Sequence, residues 1–194
     1  GFPNTLVPLS AYNKDNEEEI LNLNITPFDK IYSDDIKSQK AKLIYSVPES
    51  INSIIDSFFP KANSHAQETN LINQYSQLQN LEKKAYINIS NNRVLITIFE
   101  NERLLFNNSF LFSTKEDLLY YILFSFEQLK LSTENIAVEL FGNINKEDKN
   151  YKLLYEYIRN ITFGKSPKGV IFADEFRNIE KHQYYALFSQ VLCA

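Results

Sequence analysis

The stretch from Ala85 to Leu129 constrains the fold more than any other part of the chain. Ala85 to Ser90 alternates polar and apolar residues, with Ile87 and Ile89 on one face, as a half-covered strand does. Asn91-Asn92 supplies a two-residue turn, because Asn tolerates positive φ. Val94 to Phe99 is β-branched and apolar, Glu100-Asn101-Glu102 makes a second turn, and Leu104 to Phe112 reads as a third strand. Thr114 followed by Asp117 has the spacing of a capping box, which places an acceptor and a carboxylate at a helix start. Leu118, Ile122, Phe126 and Leu129 then recur with helical period, and Leu119 and Leu123 widen that face. Together these read as a three-stranded antiparallel meander followed at once by an amphipathic helix.

The rest of the C-terminal half continues in the same way. Ile136 to Phe141 reads as a short apolar strand ended by Gly142. Lys146 to Asn160 carries Leu153, Leu154, Tyr157 and Ile158 at helical spacing. Val170 to Ala173 is expected as a further strand and His182 to Leu192 as a final helix, for an order of βββαβαβα. The N-terminal half repeats part of that order. Asp15 to Leu23 reads as an acid-started helix, Ala41 to Val47 as a strand, and Pro48 opens a helix that Pro60 ends. Lys61 to Ala66 is expected as a short strand and Glu68 to Leu78 as a helix. The first half is therefore αβαβα, a βββαβα unit without its leading strands. An α/β chain of duplicated βββαβα units divides into 1–82 and 83–194.

Composition narrows the function classes. A formal net charge of -4 with interspersed signs offers no basic face, so no nucleic acid partner is expected. The most apolar run, Leu118 to Phe126, is far shorter than the roughly 20 residues of a membrane span, so no membrane partner is expected either. No basic stretch with an apolar follow-on opens the chain, which argues against a signal peptide. The single cysteine, Cys193, has no internal disulfide partner and fits a reducing cytoplasm; it reads as a small buried residue in a last helical turn. The chain contains no methionine and opens Gly1-Phe2-Pro3, so we read it as lacking its natural beginning.

The stretches Thr5-Leu6-Val7-Pro8, Tyr45-Ser46-Val47-Pro48-Glu49, the Phe59-Pro60 helix end, Glu116 to Phe124, and Tyr155-Glu156-Tyr157-Ile158-Arg159-Asn160 stand out. Together they resemble an uncharacterised bacterial family of domains of unknown function with an actin-like ATPase (ribonuclease H-like) fold. The resemblance implies that fold, and a further group of leading strands that this chain does not carry. It also implies where to look for chemistry. An actin-like ATPase holds ATP with an acidic, glycine-containing hairpin in each half and a glycine-rich adenosine loop in the second. Glycines let backbone N–H groups approach phosphate, and carboxylates position Mg²⁺ and water. The corresponding hairpin here is Asn88-Ile89-Ser90-Asn91-Asn92-Arg93, with neither Asp nor Gly, and the corresponding loop is Phe141-Gly142-Asn143, with one Gly. Gly142 reads more simply as a turn residue closing a strand.

Other chemistries find no better footing. His65 has only Glu68 at helical spacing and reads as a loop residue; His182 reads as a helix-start residue beside Lys181. Pairing of His182 with Cys193 would need an activated thiolate, which nothing in the sequence supplies. Asp34-Asp35 and Glu17-Glu18-Glu19 read as solvated loop and helix-start acids rather than cation ligands. No P-loop, Rossmann fingerprint or nucleophile elbow occurs. No catalytic, cofactor-binding or metal residue is assigned, and no cofactor is expected.

The expected function is that of a non-catalytic actin-like protein, a pseudo-ATPase working as scaffold or adaptor through an unidentified protein partner. The alternative is a nucleotide-dependent switch or ATP-using enzyme whose phosphate-binding residues lie in missing N-terminal strands. Self-assembly through an unpaired sheet edge is a third reading. Tyr120-Tyr121, Phe124-Phe126 and Tyr184-Tyr185-Phe188 are expected mostly in the core, and any exposed cluster would read as a protein-docking surface.

Overall fold

The computed structural model describes residues 2–23, 26–78 and 82–193. The chain divides into two units, Gly1–Asn73 and Gln74–Ala194. The division falls inside a helix, Gln67–Ser76, and not between residues 82 and 83.

In the second unit the meander forms as its pattern predicts. β4 (Lys84–Ser90), β5 (Arg93–Glu100) and β6 (Arg103–Leu111) pair antiparallel, and β7 (Ala137–Gly142) and β8 (Asn160–Phe163) follow parallel to β4, in the order β6-β5-β4-β7-β8. Asn91 at φ 52° turns the first hairpin; Asn101 at φ 48° and Glu102 at φ 67° turn the second, where two successive positive φ values match the strand twist. The parallel strands need crossovers, which α4 (Lys115–Gln128) and α5 (Lys149–Tyr157) supply. The capping box at the start of α4 is present in both directions, with Thr114 Oγ1 accepting from the Asp117 N–H and Asp117 accepting from the Thr114 N–H.

One sheet face carries the apolar core. Ala85, Ile87 and Ile89 join Val94, Ile96, Ile98, Val138 and Leu140, and Leu118, Ile122 and Phe126 of α4 with Leu154 and Ile158 cover them. The opposite face of β4 is also buried, which is why its alternation is weak at Tyr86 and Asn88.

Two expectations for this unit are corrected. The helix expected over 146–160 spans Lys149–Tyr157, because Ile158 is already extended at φ −119°, ψ 118°. The last strand is therefore β8, laid against β7, and not Val170 to Ala173. That run follows Gly169 at φ 92° and has no strand to pair with, leaving Ile171 97% exposed. The expected helix over 182–192 is a turn, a short α6 (Tyr185–Ser189) and a 3-10 turn (Gln190–Cys193). The expected burial of the Cys193 side chain lies outside the described residues.

The first unit holds an antiparallel sheet ordered β1-β3-β2, from β1 (Asn4–Pro8), β2 (Lys30–Ile36) and β3 (Ala41–Val47). α1 (Glu17–Asn22) lies between β1 and β2 in sequence, and α2 (Glu49–Phe58) and α3 (Gln67–Ser76) follow β3. The αβαβα order is thus corrected to βαββαα. Lys61 to Ala66 forms no strand, and β1 and β2 escaped the sequence reading. β2 escaped because Asp34 and Asp35 interrupt its apolar pattern; β1 is only five residues long and ends in Pro8.

Candidate functional site

β4 and β7 are parallel neighbours, so the hairpin after β4 and the loop after β7 emerge side by side. The Asn143 N–H donates to the Ile89 carbonyl at 2.7 Å. Gly142, at φ 84°, packs so closely on that strand that a Cβ would stand 2.0 Å from the Ile89 carbonyl oxygen. The requirement for glycine here is thus one of turn conformation and close approach. The Gly142 N–H donates to the His182 carbonyl at 2.9 Å, and His182 Nε2 donates to the Ile144 carbonyl at 2.8 Å. His182 is 4% exposed, lies with its ring 4.5 Å from that of Phe163, and has Glu180 at 3.6 Å from Nδ1. Its expected place at a helix start is corrected: it lies in the turn before α6 (Tyr185–Ser189), a buried tie between the C-terminal segment and the loop after β7.

The second face of the sheet carries an aromatic box. Tyr75 from α3 stacks on Tyr86 of β4 at 4.4 Å, and Phe141 of β7 and Tyr185 of α6 close around it at 5.2 and 5.6 Å. Gly164 leaves room for the Phe141 ring, since a Cβ there would lie 1.9 Å from Phe141 Cε1. Burial raises the Tyr75 phenol well above its ordinary pKa, and the nearby Tyr185 phenol adds to the effect. The Asn88 side chain pulls the other way but is not in hydrogen-bonding geometry with it. Burial raises Tyr185 too, followed by the charge of Glu139. Lys84 Nζ holds Glu139 at 2.5 Å and lies 5.5 Å from the centre of the Tyr86 ring.

In the first unit, β2 turns Asp34 inward, opposite Leu43, and the two expected loop acids part company. Asp34 accepts from the Ala66 N–H and Thr69 Oγ1, both at 2.8 Å, and lies 3.0 Å from His65 Nδ1. It serves as an acceptor at the start of α3, whose first N–H groups otherwise lack partners. Reading Asp34 as a solvated loop acid is therefore corrected, while Asp35 pairs with Lys42 at 3.0 Å. Glu17, Glu18 and Glu19 fill the first turn of α1, as their order predicts. Among the described residues no His, Cys, Asp or Glu cluster is placed to hold a metal ion.

Among the described residues, α2 and α4 each leave apolar side chains uncovered. α2 buries none of its residues: Ile51, Ile54 and Phe58 stand at helical spacing, with Ile54 58% and Phe58 73% exposed, and Phe59 continues the stripe. On α4, Tyr120 and Phe124 are exposed and stacked at 5.8 Å, whereas Tyr121 packs on Phe110 at 4.7 Å. The expectation that these aromatics lie mostly in the core fails for that pair and for Tyr184, which is also exposed, while Tyr185 is buried. An α4 of 14 residues has more apolar side chains than one sheet face can cover.

Residues 3–161 match the family described as "Protein of unknown function (DUF3822)". The chain belongs to that family. A crystal structure from Bacteroides thetaiotaomicron, of a protein with actin-like ATPase fold and unknown function, is similar with a TM-score of 0.83. The two chains are 21% identical, over 100% of this chain and 71% of the other. No curated protein matches. The likeness shows that this DUF3822 chain has the actin-like ATPase fold. Among the described residues no helix is long and apolar enough to cross a membrane.

The fold raises the question of ATP, and the second unit's residues do not fit it. Its hairpin Ser90-Asn91-Asn92 has no carboxylate for a cation. The Gly142 and Asn143 N–H groups, which a phosphate cradle would need, already donate to His182 and Ile89.

Proposed function

We propose that this DUF3822 chain is a non-catalytic protein on the actin-like fold that acts by binding protein, as a scaffold or adaptor. The observation that carries the reading is α2, a ten-residue helix with an apolar stripe and no buried residue. A stripe of that kind lowers its free energy only by being covered, at about 25 cal/mol per Å² removed from water. α2 itself carries Glu49 and Asp56 and no basic residue. Glu49 pairs with Lys30 at 3.2 Å, which leaves Asp56 as the acid of this rim. The partner we infer is an apolar protein segment with a basic side chain placed to meet Asp56. The closed backbone after β7 agrees with a role that does not turn over nucleotide.

Two measurements test this. Calorimetric titration of the protein with Mg·ATP and Mg·ADP should give no heat, and micromolar binding would overturn the non-nucleotide reading. A photo-crosslinker placed at Ile54 in the producing cells should give a discrete protein adduct, while one at exposed Glu18 gives none. Equal labelling from both positions would remove α2 as the docking face.

A further inference from the structure

The box around Tyr75 contains more polar chemistry than its aromatic rings suggest. Tyr75 Oη, Asn88 Nδ2 and Tyr185 Oη are all buried and, among the described residues, have no hydrogen-bond partner. Their residues are 1%, 6% and 1% exposed, so bulk water does not reach them. They come from β4, α6 and the last turn of α3, and all three residues belong to the second unit. Native proteins rarely leave buried polar atoms unmatched, and each exception calls for a physical account.

The three residues meet on one face of the sheet, Tyr75 stacking on both Tyr86 and Tyr185. The rings of Tyr75 and Tyr185 are nearly parallel, 5.6 Å between centres with 20° between planes. Strand β4 sets Asn88 two residues beyond Tyr86, on the sheet face where Tyr86 meets Tyr75. We propose that Tyr75, Asn88 and Tyr185 form a binding site for a held water molecule, which joins α3, β4 and α6.

The donor and acceptor count selects water. Asn88 Nδ2 can only donate, and each phenol can donate or accept. A water accepts from the amide, donates to one phenol and exchanges either role with the other, which gives the roughly three bonds that buried waters make. An anion would need a cation beside it, and Lys84 is already engaged by Glu139. A metal cation would meet two neutral phenols and an amide donor, a poor ligand set. The rings supply apolar walls, so only these three groups offer the water polar partners.

A crystal structure of the whole chain, at a resolution that shows ordered water, tests the site. Density is expected within about 2.7–3.2 Å of at least two of the three atoms. In Tyr75→Phe, which keeps the ring and its stacking, that density should weaken or move toward Asn88 and Tyr185. Well-ordered side chains with no density between them would overturn the proposal. So would direct bonding of Tyr75 to Asn88 in an altered rotamer. Should Tyr75→Phe fail to fold, water-to-hydroxyl cross-relaxation in the unmodified protein decides the matter. A long-lived water signal at the two phenols supports the site, and its absence rejects it.

Discussion

The backbone N–H of Gly142 donates to the carbonyl of His182 at 2.9 Å, which fastens the loop after β7 to a segment forty residues further along the chain. In the same tie the His182 ring donates to Ile144. A loop whose N–H groups are satisfied by the chain itself is a structural joint. The order of stability in the second unit should follow from it.

Gly142→Ala is the most direct probe of that joint. Positive φ alone costs a non-glycine residue about 1–3 kcal/mol, and the Cβ also collides with the Ile89 carbonyl. We expect a clearly lower urea midpoint, followed by near-ultraviolet circular dichroism of the tyrosines. An unchanged midpoint would mean that the loop relaxes freely and that the tie to His182 carries little.

Gly164 and Phe141 should behave as a coupled pair. Gly164→Ala drives a methyl into the Phe141 ring, so it should destabilise by about 1–3 kcal/mol. Combined with Phe141→Leu, which withdraws the ring, the loss should be smaller than the sum of the single changes. Strict additivity in a double-mutant cycle would count against the contact.

The buried phenols set an alkaline limit. Tyr75 and Tyr185 have pKa values raised in the fold, chiefly by burial, from an unfolded value near 10.0. Below about pH 10 both states keep the proton and stability is full. As pH rises further, the unfolded chain releases protons that the native state retains, so stability falls. The limiting slope is about 1.4 kcal/mol per pH unit for each phenol. Tyr75→Phe should reduce that slope by one phenol, as read from urea midpoints above pH 10; equal slopes would refute the assignment.

Asp34 should matter to the first unit out of proportion to its place in an acidic pair. Asp34→Ala leaves the Ala66 N–H and Thr69 hydroxyl without an acceptor, at a cost of about 1–3 kcal/mol each where burial is retained. Asp35→Ala removes only a half-exposed pair with Lys42 and should stay within about 1 kcal/mol. Thermal melting of the two variants separates them, and equal melting temperatures would contradict the reading.

Ile54→Glu with Phe58→Glu should leave thermal stability within about 0.5 kcal/mol per site, because neither side chain is covered. A large loss would show that the stripe is packed within the folded chain and would remove it as a docking face.

Much of the second unit was legible before any coordinates. Its elements are local: period-two runs, Asn turns that accept positive φ, and a capping box made within four residues all act between sequence neighbours. β8 was not legible, because Asn160–Phe163 becomes a strand only by lying beside β7. Pattern likewise assigned Val170 to Ala173 to a strand that has no partner. In the first unit, β2 was hidden by Asp34, a carboxylate made tolerable inside by three donors from residues 65–69.

By itself the sequence determined the mixed α/β class, the meander and the helix after it, and a chain poor in the glycines and acids of a phosphate site, because these depend on residue type and short spacing. The tertiary structure alone decided that His182 closes the loop after β7, that Asp34 caps α3, and that Tyr75, Asn88 and Tyr185 share one buried place. Each of those joins residues far apart in sequence, and long-range hydrogen bonds and ring contacts leave no period in the chain that forms them.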